Sequence, residues 1–286
     1  MEKISICCTS GGYKNVFAQG VLRAFKDRSF RAEAYASCSS SSLIAAYAAM
    51  GKIDDLDTSL WEEGYEISQQ EGNQSQAMLH SIHQLSSEIK KNLWLPGSSR
   101  LLISTSRVLT EEAIMLTQTE KAKRMGQKLL IDALRHRTEW RDQHLKLDLF
   151  DTVNDPGTEA MTERNLDEVL YATTRMLHAW DIPASIEGIP YLDGSYTASC
   201  LIRPMIDLGY KDVIYINTEH DKIMLDLFTT VNDFQPEPGD VKIRTIQPDV
   251  NLAGMGVDFY SVKGDGLADV FKHGYEKGIQ FLDTYL

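Results

Sequence analysis

The sequence has no run of about 18 apolar residues, so no part of the 286-residue chain reads as a membrane-spanning helix. Its opening, Met1-Glu2-Lys3-Ile4-Ser5-Ile6-Cys7-Cys8, lacks the basic flank and long apolar core of a secretion signal, and it reads as the first strand of a fold. Basic residues are outnumbered: 29 Lys and Arg against 41 Asp and Glu leave a formal charge of −12. That balance excludes nucleic acid as an expected partner and argues against electrostatic adsorption on anionic lipid. Cysteine is scarce. Cys7, Cys8, Cys38 and Cys200 lack zinc-ligand spacing and sit in strand-like or turn positions, which predicts reduced, buried thiols in a cytosolic compartment. His80 and His83 have a ligand-like spacing without a third ligand nearby, so they are expected at the surface or the edge of a core, with no metal. The Gly-Lys-Ser/Thr ending of a nucleotide P-loop is missing, as is the G-x-G-x-x-G of a dinucleotide site, and no cofactor is expected.

What the chain does contain is 43% hydrophobic residues, enough for a large core. A short apolar strand at residues 4–8 leads into Thr9-Ser10-Gly11-Gly12-Tyr13-Lys14-Asn15, and residues 16–27 then place Phe17, Val21, Leu22 and Phe25 at helical spacing, with Asn15 as the expected N-cap. Strand, glycine loop and helix in that order aim free backbone N–H groups at an anion. Gly11, Gly12 and Tyr13 are therefore candidate oxyanion donors, with a plain turn as the other reading.

A second strand at residues 32–36 runs into Ser37-Cys38-Ser39-Ser40-Ser41-Ser42 and then into Leu43-Ile44-Ala45-Ala46, an alanine-rich helix that Gly51 closes. Small residues are needed where a strand reverses sharply into a helix, because the two backbones crowd each other at the bend. A serine at the apex stands clear of both, which is the mechanical description of a nucleophile elbow with Ser39 at its tip. The other reading of the serine run is a polar linker.

Residues 54–137 read as charged amphipathic helices broken near Pro96-Gly97, inserted into the fold. Strand character returns at residues 145–150, a helix is expected over 165–180, and a hairpin around Glu187-Gly188 delivers Asp193 onto a glycine turn, where it is either a turn former or a base. A strand at residues 213–217 and a helix at 267–285 complete an α/β pattern. His220 reads as a loop residue and His178 as packed on its own helix, although Ser39, Asp193 and His220 occur in the chain order of an α/β-hydrolase triad.

These three separated stretches resemble the patatin-like phospholipases, lipid acyl hydrolases that use a serine and an aspartate without a histidine. Their glycine loop is matched by Ser10 to Asn15, their elbow by Ser37 to Ala46, and their D-G-[G/A/S] motif by Asp193-Gly194-Ser195. Both elbow glycines are serine here, Ser37 and Ser41, and two loop glycines are Ser10 and Asn15, substitutions expected to strain a turn that favours glycine. The resemblance implies one three-layer α/β/α domain over residues 1–286, with a mostly parallel central sheet and the helical insertion. It implies Ser39 as nucleophile, Asp193 as base, and backbone N–H groups of Gly11, Gly12 and Ser40 as the oxyanion hole. The implied substrate is a lipid or other acyl ester, and the protein itself is expected in the cytoplasm, with peripheral contact to a membrane. Acyl transfer by the same dyad, and an inactive binding or regulatory protein of this shape, are the alternatives.

Overall fold

A computed structural model describes residues 3–234 and 241–285; the opening Met1-Glu2, residues 235–240 and Leu286 lie outside the described residues. The elements in chain order are β1 (Ile4–Cys8), α1 (Val16–Asp27), β2 (Ala34–Cys38), α2 (Ser41–Ala49), α3 (Ser59–Glu71), α4 (Ser75–Asn92) and β3 (Arg100–Val108). There follow α5 (Glu111–Thr117), α6 (Ala122–Leu134), α7 (Glu139–His144), β4 (Leu145–Asp151), β5 (Glu159–Ala160), α8 (Leu166–Ala172), β6 (Ser185–Ile186) and β7 (Ile189–Asp193). The chain continues through α9 (Ile202–Asp207), β8 (Asp212–Ile216), β9 (Ile223–Met224), β10 (Thr230–Val231), β11 (Lys242–Ile246) and α10 (Gly266–Tyr285).

The central sheet runs in the order β11-β8-β1-β2-β3-β4-β5, with β7 also on β3. From β11 to β3 every neighbouring pair is parallel, while β4 and β7 pair antiparallel to β3. Strands buried on both faces read as continuous apolar runs, and alternate side chains supply opposite layers. Ile6, Cys8, Tyr35, Leu101, Ile103, Ile214 and Ile216 pack under α1, α2, α4, α8 and α10. Cys7, Ala34, Ala36, Leu102, Val213 and Tyr215 pack with α9 on the other face. The result is a three-layer α/β/α fold.

One expectation fails within residues 54–137. That stretch is helical in α3 to α6 but also holds β3, a central strand. Its second half, Ser104-Thr105-Ser106-Arg107, is too polar to announce a buried strand. The hydroxyls are nevertheless satisfied internally: Ser104 Oγ donates to Ala198 O at 3.1 Å, and Ser106 Oγ to Asp193 O at 2.8 Å. The helix expected over 165–180 stops at Ala172, and His178 falls in the turns beyond it.

The register of β3 decides where the rest of the chain converges. Along one edge of β3, residues 102–108 pair with β4. Along the other edge, residues 100–104 pair with β2 and residues 105–107 with β7. Strands β2 and β7 therefore meet end to end on a shared partner, with Cys38 opposite Ser104 and Asp193 opposite Thr105. Whatever follows Cys38 must lie beside Asp193.

Candidate active site

Ser39 follows Cys38 directly, and its Oγ donates to Asp193 Oδ2 at 2.8 Å across 154 residues of sequence. The two groups meet at the carboxyl ends of β1 and β2, where adjacent parallel strands set the glycine loop and the elbow side by side. Ser39 takes a left-handed φ of +61°, and it is only 7% exposed. The strain expected at the replaced glycines is absent from them. Ser37 is ordinary strand and Ser41 ordinary helix, and their hydroxyls brace the bend instead. Ser41 Oγ donates to Cys38 O at 2.8 Å and accepts from Cys38 N at 3.1 Å, while Ser37 Oγ donates to Ser42 Oγ at 3.2 Å. The elbow keeps its one unfavourable backbone conformation at the functional serine itself.

Asp193 is fully buried, and desolvation lifts its carboxyl from the ordinary 3.8 to about 6, against the lowering effect of donors from Ser195 and Ser39. Its Oδ1 accepts from Ser195 N at 2.8 Å. Gly194 is required beside it, because a Cβ there would lie 2.4 Å from both the carbonyl oxygen and the hydroxyl of Ser104.

In the glycine loop, Gly12 carries the positive φ, +55°, and Asn15 is right-handed with no capping bond of its own. Asn15 instead donates from Nδ2 to Ser40 Oγ at 2.8 Å, and Ser40 Oγ donates to Gly12 O at 2.9 Å, which ties loop to elbow. Among the described residues the N–H groups of Gly11, Gly12 and Ser40 have no hydrogen-bond acceptor. Tyr13 differs from expectation: its N–H donates to Phe259 O at 3.3 Å and is not free to hold an oxyanion. The segment carrying Phe259 is held over the loop by Lys14, whose Nζ lies 3.0 Å from Glu219, 3.5 Å from Asp258 and 4.5 Å from the centre of the Phe259 ring.

Sequence reasoning missed the residue that joins the two halves of the site. Thr173 Oγ1 accepts from Ser39 N at 2.9 Å and donates to Ser104 O at 2.7 Å, and Thr173 O accepts from Gly194 N at 3.2 Å. A threonine just past a helix end carries no signal of this before β7 is placed. Thr173→Val keeps the shape and strands a buried N–H, so a loss of about 1–3 kcal/mol is expected in urea unfolding. Thr173→Ser should restore it; equal stability of valine and serine variants would remove Thr173 from this role.

Two apolar cavities open on either side of Ser39 and share Gly12, Ser39, Trp180, Phe259 and Tyr260 as a common wall. The first, about 570 Å³ with its mouth, runs between α3 and α4 past Leu43, Leu60, Trp61, Ala77 and Met78. The second, about 710 Å³ with its mouth, runs past Leu130, Met176, His178, Met224 and Leu227. His220 is elsewhere, in a separate depression with residues 245–249 and the end of α10, so a triad through it is not formed. His80 pairs with Glu63 at 3.6 Å on the surface, and all four cysteines are buried and free.

The fold and site together define an α/β protein with a serine–aspartate pair at a strand-to-helix elbow. No family model and no curated protein matches the sequence. Among solved structures the chain is similar to VipD from Legionella pneumophila, at 10% identity and a TM-score of 0.43, over 100% of this chain and 67% of that one. Among the described residues no helix is long and apolar enough to cross a membrane.

Proposed function

We propose that the protein is a serine acyl hydrolase of the patatin-like type, acting on acyl esters of lipids through Ser39 and Asp193. The observation that carries the reading is the 2.8 Å bond from Ser39 Oγ to a buried carboxylate, at a point where unpaired backbone N–H groups and two apolar cavities converge. As Ser39 Oγ attacks the ester carbonyl carbon, its proton passes to Asp193 Oδ2. Negative charge gathers on the former carbonyl oxygen, which faces the N–H groups of Gly11, Gly12 and Ser40. The carbon–oxygen bond to the alcohol then breaks, and the leaving oxygen takes the proton from Asp193. Water attacks the acyl-Ser39 ester, its proton going to Asp193 and then back to Ser39 as the acid departs; an alcohol in place of water gives acyl transfer. Peripheral contact with a lipid surface belongs to the same proposal: on α6, beside Leu130 of the second cavity, Ile131 is 48% and Leu134 83% exposed.

The test is covalent labelling. A fluorophosphonate probe is expected to label the wild-type protein and to leave Ser39→Ala unlabelled, with labelling read by intact mass. A folded wild-type protein that takes no label makes this a binding module.

A further inference from the structure

Resting on the acyl hydrolase reading, we propose that the substrate is an uncharged glyceride carrying two chains, and that phospholipids are discriminated against. An ester bound at Ser39 sends its acyl chain one way and its alcohol part the other, and here both directions are apolar cavities that share a wall. Neither cavity has a lysine or arginine among its described lining residues. A phosphate drawn into the site would be desolvated without a cation to pair with, and burying an unpaired charge is severely unfavourable. The nearest cation on the glycine loop, Lys14, is already held between Glu219 and Asp258, and Asp193 adds a carboxylate of the same sign as the phosphate.

Apart from Asp193, the polar groups on the cavity walls are uncharged. Trp180 Nε1 and His178 Nδ1 are buried without a partner on residues lining the second cavity, and burial pushes the His178 ring toward its neutral form. A rotation of either ring into the cavity would present a donor or a neutral ring nitrogen to the hydroxyl and second ester of a glyceride. The first cavity has an independent handle in Gly64 of α3, where an added Cβ would meet nothing within 4 Å. A side chain at that point projects into free space along the path of one chain.

The experiment compares fatty-acid release by the whole protein from 1,2-diacylglycerol, phosphatidylcholine and phosphatidylglycerol with identical chains, each in the same nonionic micelles. Release from the diacylglycerol is expected to be at least tenfold faster than from either phospholipid. Gly64→Leu is expected to lower the ratio of long-chain to short-chain ester turnover at least tenfold, and Leu130→Trp to lower it for esters lengthened on the other side of the carbonyl. Fluorophosphonate labelling is measured in parallel. A labelled protein that cleaves either phospholipid as fast as the diacylglycerol overturns the substrate class and leaves the dyad standing, whereas a folded protein that neither labels nor releases fatty acid overturns both.

Discussion

Asp193→Asn is expected to lower turnover by about 10³ and at the same time to make the protein more stable at neutral pH. The two effects have one cause. Burial raises the carboxyl from 3.8 to about 6, so the folded protein holds the proton more tightly than the unfolded chain does. The neutral acid's advantage is fully present below pH 3.8, and it is lost progressively as pH rises to about 6. Above that, holding a buried carboxylate opposes folding by about 3 kcal/mol, at 1.4 kcal/mol for each factor of ten in proton affinity. Asparagine keeps the shape, leaves one oxygen to accept from Ser195 N, and carries no charge at any pH. Its stabilisation should therefore be largest near pH 7 and fade toward pH 4, in urea titrations at both values. Wild-type turnover should run the opposite way, rising tenfold per pH unit below about 6 and levelling above, because only the ionised carboxylate accepts the proton of Ser39. An asparagine variant that turns over normally, or that gains no stability at pH 7, contradicts the assignment.

Much of this site was legible in the sequence, for a definite reason. Ser39 and the glycine loop lie on local strand–turn–helix units, and a local unit declares itself through the spacing and size of neighbouring residues. The hairpin at Glu187-Gly188 is of the same kind: both residues take positive φ, 51° and 81°, as a two-residue turn between paired strands requires. What stayed hidden is non-local. The polar half of β3 conceals a strand, because its serines and threonine satisfy backbone groups of other strands that the sequence cannot place. Thr173, Phe259 and Tyr260 reach the site only after β7 and the segment before α10 are folded around it. The replaced glycines misled in the opposite direction: the left-handed residue in the elbow is Ser39, so serine at 37 and 41 needs no unusual backbone.

The loop glycine that does need its conformation is Gly12, and Gly12→Ala should be the most damaging single-methyl change in the site. A Cβ on Gly12 would lie 2.1 Å from the carbonyl oxygen of Phe259, which is backbone and not the movable end of a side chain. The φ of +55° adds about 1 kcal/mol for any residue with a Cβ. To relieve the overlap the Phe259 segment must lift, and lifting it breaks the bond from Tyr13 N and draws the ring off Lys14. A combined loss of about 2–4 kcal/mol is expected in urea unfolding. Because the same backbone unit carries one of the N–H groups proposed to hold the oxyanion, turnover of the remaining folded protein should fall about 10²-fold with KM moved far less. Asn15→Ala makes the comparison informative: it cuts the tie between loop and Ser40 without touching Phe259, so it should lower turnover while leaving the Phe259 segment seated. If Gly12→Ala lost stability but kept full turnover, the loop would be only a structural support for the segment above it, and the negative charge would have to be held elsewhere.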